Sequence, residues 1–373
     1  MGRPKQGGAL SEYPKRIRQL VLHLRKENPG WGAASILLDL RLEYGYLVTD
    51  LPSPASTHNF LKQSGCIKDR EPRSSLPVGK CKSSKHPHEK WEMDAKGAVL
   101  VEGLGYQALI NIKDDFSKKY CMSFPIAVKN KNTQPRTLHY KWTLRFAFIE
   151  SGLPKVIQVD KDSVFIENSS KSPFPSRLHL WLIALGIELC FIDRPPPAMN
   201  SKVERSHQTI NNQSLKGKTY KTWGSLLKNI NKRRKRLNED YPSRTLEKRA
   251  PLQVYPEAKH SGRRYAIKQE EQLLDLKKIY AFLAKGKWYR KVDASKGIHI
   301  GAKRYALKKA KPHTTAVITF CNRCKKLIFH DVKEQELGRH PIKEFSVQTL
   351  MESTQASLIA DYERVLKARK FPF

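Results

Sequence analysis

Residues 155–160 read Lys155-Val156-Ile157-Gln158-Val159-Asp160, a short apolar run that stops on a carboxylate. Its length and β-branched content suit a buried strand better than a helix. The elements on either side set its context. Residues 134–151 are helical in pattern, with Leu138, Trp142, Leu144, Phe146 and Phe148 mostly on one side. Pro175 to Leu185 reads as a second helix, Glu188 to Ile192 as a further strand, and Asn200 to Leu215 as a helix. Upstream, Val99 to Val101 and Tyr106 to Ile112 form two strands around a turn at Gly103 and Gly105, and Tyr120 to Ile126 forms a third. Three strands in a meander followed by alternating helix and strand predict a mixed α/β sheet.

Working outward, the flanking segments have other patterns, so the chain is multidomain. Residues 1–13 are a basic arm. Over 14–67, Ile17, Leu20, Val21 and Leu24 recur at helix spacing, and a second run holds Ile36, Leu37, Leu40 and Leu42. Ser53 is a fair N-cap for a third helix through Phe60 and Leu61. Three short helices with tight turns predict an all-α helix-turn-helix DNA-binding module. Residues 68–88, with Pro72, Pro77, Gly79 and many basic side chains, read as a linker. The α/β core is assigned to 89–258. Residues 265–335 hold short strands, among them 287–289, 298–300, 315–320 and 326–330, and predict a small β-barrel. A helical tail takes 336–373.

The charge is lopsided. Seventy Lys and Arg face 35 Asp and Glu, for a formal net charge of +35. A chain so charged attracts polyanions and displaces their counterions, which points to nucleic acid without saying which kind. No apolar run approaches the roughly 20 residues of a membrane span, and the N-terminus lacks a signal-peptide pattern. A soluble, cytoplasmic, nucleoid-associated protein is expected, with no membrane partner. Six cysteines in 373 residues do not form a disulfide framework.

In so basic a chain, carboxylates at strand ends stand out. Asp94 follows Trp91 at the start of the first strand, Asp160 ends the fourth, and Glu204 sits on the helix after Pro195-Pro196-Pro197. Singly, each has an ordinary role: strand-edge solubiliser, turn cap, or partner of Lys202, Arg205 or Arg236. Together, on this order of strands and helix, they can converge. Such a cluster is unstable unless cations fill it, and oxygen ligands select Mg²⁺ or Mn²⁺. Two such ions about 3.5–4 Å apart clamp an in-line displacement at phosphorus.

The segments Trp91-Glu92-Met93-Asp94, Val159-Asp160-Lys161-Asp162-Ser163-Val164-Phe165 and Asn200-Ser201-Lys202-Val203-Glu204-Arg205 resemble the retroviral-integrase-type catalytic core shared by bacterial insertion-sequence transposases. Pro197-Ala198-Met199-Asn200 matches the turn that precedes the family's Glu. The resemblance implies a ribonuclease H-like core in which Asp94, Asp160 and Glu204 bind two catalytic metal ions. It implies transposon-end and target double-stranded DNA as partners, a homo-oligomer on DNA and a possible accessory transposition protein. Gly30-Trp31-Gly32 between two helices looks like the family's helix-turn-helix. Arg249-Ala250-Pro251-Leu252-Gln253-Val254-Tyr255 looks like the segment closing its core, and the barrel is similar to its SH3-like C-terminal domain. Two departures are visible. Lys161-Asp162 stands where Asn-Gly is usual, so Asp162 rivals Asp160. The 44 positions from Asp160 to Glu204 exceed the usual spacing, the excess falling near Asn168 to Ser176.

Arg205, His207 and Gln208 share the helix of Glu204 and are expected to contact DNA. Lys232-Arg233-Arg234-Lys235-Arg236 ends a long helix; Lys232, Arg233, Arg234 and Arg236 are assigned to phosphate contact. Cys321-Asn322-Arg323-Cys324 has metal-ligand spacing, and His313 or His330 could join it, as Cys81 could join His86 and His88. No second CxxC exists, so the pair is read as a hairpin turn. Asp114-Asp115 is read as a structural turn. The alternatives to a strand transferase are a catalytically inactive DNA-binding regulator of the same fold and a ribonuclease H-like nuclease or RNA-binding protein.

Overall fold

The computed structural model describes residues 9–67, 84–160, 164–166, 174–192, 201–300, 303–343 and 345–368. The sequence-level assignments on the first eight residues, most of the linker, Asp162, Pro197 to Asn200 and most of the expected insertion lie outside them. In chain order the principal elements are helices α1 (Lys15–Glu27), α2 (Ala33–Tyr44) and α3 (Pro54–Gln63), then strands β1 (Lys90–Val101), β2 (Gly105–Asp114) and β3 (Tyr120–Ala127). They continue α4 (Thr137–Ser151), β4 (Val156–Asp160), α5 (Arg177–Ala184), β5 (Glu188–Ile192), α6 (Ser201–Ile210), α7 (Trp223–Glu239) and α8 (Pro251–Val254). The last third holds α9 (Glu270–Leu273), α10 (Leu276–Leu283), β6 (Trp288–Lys291), β7 (Gly297–Ile300), β8 (Lys303–Ala306), β9 (Thr315–Cys321), β10 (Lys326–His330), β11 (Glu336–Pro341), α11 (Val347–Met351) and α12 (Gln355–Ala368).

The central sheet is mixed, in the order β3-β2-β1-β4-β5. β2 and β3 are antiparallel from Gln107 opposite Ala127, while β4 runs parallel to both β1 and β5. The chain separates into two compact units that interleave along the sequence. One comprises residues 1–87, 93–135 and 195–259; the other comprises 88–92, 136–194 and 260–373. The span expected as a single core, 89–258, therefore contributes to both.

In the first unit, α1–α3 bury Ile17, Val21, Leu24, Trp31, Ile36, Leu37, Leu40 and Leu61 against one another. Ser53 caps α3, its hydroxyl accepting from the Ser56 N–H at 3.1 Å, and Pro54 fills the first helical position, where no N–H is needed. Gly45, at φ 72°, ends α2 in the left-handed conformation that glycine adopts without penalty. The helices pack on α7 and on a π-helical turn at Asn211–Leu215. The Trp31 indole N–H donates to the Gln213 carbonyl at 3.1 Å. A Cβ on Gly30 would fall 2.1 Å from the Asn212 carbonyl oxygen, so only glycine allows this approach.

Ionic contacts complete the packing. The buried carboxylate of Asp39 accepts from Arg233 at 3.1 Å and from Arg236. Arg233 also lies 3.6 Å above the Trp31 ring centroid. On the far side of α7, Arg234 donates to the carbonyls of Tyr120 and Cys121, while Leu226, Ile230 and Leu237 join Val101, Leu109 and Tyr120 in an apolar cluster.

In the second unit, Trp91 is buried between its hydrogen bond to His88 Nδ1 (3.1 Å) and the Phe148 ring. Glu270 is fully buried and accepts from both arms of Arg145 at 2.8 Å, from the Trp181 N–H at 2.9 Å and from the Tyr265 hydroxyl. Burial pushes the Glu270 carboxyl up, but Arg145 outweighs it and holds it below the usual range. Lys141, equally buried, binds the Leu350 carbonyl at 2.7 Å and Glu352 at 3.1 Å. Residues 267–283, inside the expected barrel, are helical. The strands that follow make a four-stranded sheet, β11-β10-β9-β6, and a separate pair, β7-β8. The expected helical tail begins as β11, because Leu327 to His330 offer Glu336 to His340 a ladder to join.

Two predictions follow from these contacts. Asp39→Ala strands two buried guanidinium groups and is expected to lower unfolding stability by about 3–5 kcal/mol, the scale for removing one partner of a buried ion pair. Urea unfolding followed by tryptophan fluorescence checks it; a loss below about 1 kcal/mol, the scale of an exposed pair, would contradict it. The second concerns His139, whose pKa burial lowers to about 4, with Arg136 adding to the effect. Its Nδ1 accepts from the Arg136 N–H at 3.0 Å. The unfolded chain takes up this proton near pH 6.5 and the folded chain only near 4, so stability is lost as pH falls through that window. His179 behaves alike, through burial. His139→Gln preserves the capping acceptor and is expected to reduce proton uptake on unfolding across this window by about one. Calorimetry in buffers of different ionisation enthalpy reads the difference.

Candidate active site

Asp94 lies in β1, just past the buried Trp91-Glu92-Met93, where the strand reaches half-exposed positions. Its Oδ1 accepts from the Ala95 N–H at 2.8 Å and its Oδ2 is 3.1 Å from His207 Nε2. His207 is buried in α6 and its Nδ1 is 2.7 Å from Asn111 Nδ2, on the apolar strand β2. An amide NH₂ can only donate, so Asn111 makes Nδ1 an acceptor and leaves the ring proton on Nε2, facing Asp94. The three side chains thus form a chain of hydrogen bonds from β2 through α6 to β1. One wall of a site is thereby fixed, since a carboxylate held by a second group keeps its orientation.

Glu204 lies in α6 three residues before His207. Asp160 is the last residue of β4 and is exposed. Among the described residues, no group of three or more His, Cys, Asp or Glu side chains is assembled around a common point.

The residues expected on DNA differ in exposure. His207 was expected on DNA; it is buried and hydrogen bonded within the protein. Arg205 and Gln208 are exposed. Of the run on α7, Arg233, Arg234 and Arg236 are buried and bound to Asp39, Glu43 and the carbonyls of β3. The helix turns 100° per residue, so a continuous run of five cations must point some inward. Lys232, half-exposed and 2.7 Å from Glu43, and Lys235, more exposed, remain at the surface. Asp114 serves its turn: its Oδ2 accepts from the Ser117 N–H and hydroxyl at 2.8 and 2.6 Å.

Sequence reading missed Asn111 and the positioning role of His207. A signal for each was present. Asn111 is a lone amide inside the apolar stretch Ala108-Leu109-Ile110-Asn111-Ile112, and a buried polar group needs a partner. His207 follows Glu204 by one helical turn.

No family model matches the chain. Among solved structures, it is similar to a simian T-cell lymphotropic virus intasome in complex with the PP2A regulatory subunit B56 gamma. That match is 15% identical over 64% of this chain and 73% of that one, with a TM-score of 0.35. It is also similar to the HTLV-2 integrase catalytic core domain in complex with magnesium, in trimeric form, at 16% identity over 45% and 97% and a TM-score of 0.32. The BIV integrase catalytic core domain matches at 12% identity over 46% and 95%, with a TM-score of 0.31. Likeness at these scores carries no argument about what the chain does.

The hydrogen-bond chain makes a testable statement about His207. Its ¹⁵N spectrum is expected to show the Nε2–H tautomer. Asn111→Leu should release that tautomer preference. An Nδ1–H signal in the unaltered protein would contradict the arrangement.

Proposed function

We propose that this chain is a metal-dependent DNA strand transferase of the transposase and integrase type, with Asp94, Asp160 and Glu204 as its catalytic carboxylates. The observation that carries the reading is the Asp94–His207 hydrogen bond. It ties the strand bearing one carboxylate to the helix turn bearing another. The pairing of β1 with β4 supports the third. Glu92 stands opposite Gln158 in that pairing, and Asp160 ends β4 two residues later.

The residues fit a hard divalent cation. Each Asp94 oxygen accepts one hydrogen bond and retains a second lone pair. Asp94, Asp160 and Glu204 would hold the ions, Mg²⁺ or Mn²⁺, which when bound would activate an attacking oxygen and stabilise the leaving one at phosphorus. His207 holds Asp94 in place and Asn111 fixes the ring that does so. Arg205 and Gln208 are exposed on the same helix and would meet the DNA backbone. Lys96, two residues past Asp94, adds a cation on that strand face.

The +35 charge supports a nucleic-acid substrate. In this reading the substrate is double-stranded DNA, bound by a homo-oligomer that brings two DNA ends together, with an accessory protein assisting. Helices α1–α3 act as the helix-turn-helix module, and the C-terminal strands as the SH3-like one. Among the described residues no helix is long and apolar enough to cross a membrane.

The test is joining of duplexes ending in 3′-hydroxyls, taken from the DNA flanking the coding sequence, to a supercoiled plasmid in Mg²⁺ or Mn²⁺. Asp94→Asn, Asp160→Asn and Glu204→Gln are each expected to lower joining by on the order of a hundredfold or more, the scale of losing one preorganised charge-stabilising group, while DNA retention on filters persists. A wild-type protein that binds these ends yet joins none in either metal would favour the inactive DNA-binding regulator instead.

A further inference from the structure

Cys321 ends β9, and Cys324 precedes β10, on the tip of one hairpin. The Cys324 N–H donates to Cys321 Sγ at 3.4 Å. Lys325 follows in the left-handed conformation, at φ 55°, which turns the chain back into β10. Both cysteines are free, and Cys324 is exposed. A thiolate is the form that binds metal.

We propose that this hairpin is a dithiolate half-site for a soft divalent cation of the zinc class, closed into a four-sulfur site by the same hairpin of a second copy of the chain. Structural zinc takes four ligands in a tetrahedron, and this tip supplies two sulfurs. The histidines in the same hairpin cannot complete the set. His330 lies four residues beyond Lys326 along β10, about 13 Å away at the strand rise. His313 precedes β9, eight residues from Cys321, at the hairpin's far end. Among the described residues no third ligand stands near the pair. A half-site on a projecting turn is self-complementary under two-fold symmetry.

Charge favours the four-sulfur form. Arg323, Lys325 and Lys326 sit on each tip, and two bare tips would repel. Four thiolates around one divalent ion carry two net negative charges, which gives these cations a counter-charge. This inference stands apart from the strand-transfer reading, since it involves none of the same residues.

Titration of reduced, metal-free full-length protein with Co²⁺ tests it. The expected result is a sulfur-to-cobalt charge-transfer band with tetrahedral ligand-field bands, saturating at one Co²⁺ per two chains. Dimer should form in sedimentation as the bands appear, and Zn²⁺ should bleach them. Cys321→Ser and Cys324→Ser should each abolish both effects, whereas Cys190→Ser should keep them; circular dichroism checks that the variants fold. Absence of the charge-transfer band, its persistence in both hairpin variants, or saturation without dimer would each overturn the proposal.

Discussion

Among the described residues, Arg145, Arg233, Arg234 and Arg236 each enter the interior together with an acceptor. With two basic residues for each acidic one, buried guanidinium groups would otherwise forfeit their hydration with no compensation. Asp39 solves this in the first unit and Glu270 in the second. Asp39 takes Arg233 and Arg236, and so fixes α7 to the N-terminal helices. Glu270 takes Arg145, Tyr265 and Trp181, and so fixes α9 to α4 and α5. Each carboxylate is one residue among many, yet each closes a network that links segments more than 80 positions apart.

That constraint also sorts the surface. A run of basic side chains suggests a phosphate-binding face, and the net charge encourages that reading. Once Arg233, Arg234 and Arg236 are committed to internal acceptors, the exposed cations of α6 and α7 among the described residues are Arg205, Lys228, Lys232 and Lys235. The electrostatic field that draws a polyanion remains, because it depends on total charge. The local contacts are fewer and differently placed than the sequence alone suggests.

The candidate catalytic centre has the same logic at smaller scale. Asp94 is oriented by His207, and His207 by Asn111. Each link satisfies a polar group that burial would otherwise leave bare, apart from Asn111 Oδ1, which has no partner. Preorganisation of this kind holds a carboxylate in one orientation.

Much of the architecture was legible in the residues. Apolar runs, glycine turns and the alternation of periods placed the strands and helices of the mixed sheet, because those signals are local. Ser53 as a cap and Gly45 as a stop were local too. The reading failed where distant residues decide. Residues 267–283 lie among strand-like neighbours but are helical, with Ile267, Ile279 and Leu283 buried and Glu270 reaching back to Arg145. Three arginines looked exposed because nothing nearby in sequence could neutralise them; Asp39, partner of Arg233 and Arg236, is about 200 residues away, and the carbonyls that hold Arg234 are more than 110 away. By itself the sequence singled out Asp94, Asp160 and Glu204 as candidates, since isolated acids at strand ends in a basic chain are visible. Only the tertiary structure decided which neighbour orients Asp94 and which cations face inward, because hydrogen bonds and ion pairs select by distance in space rather than along the chain.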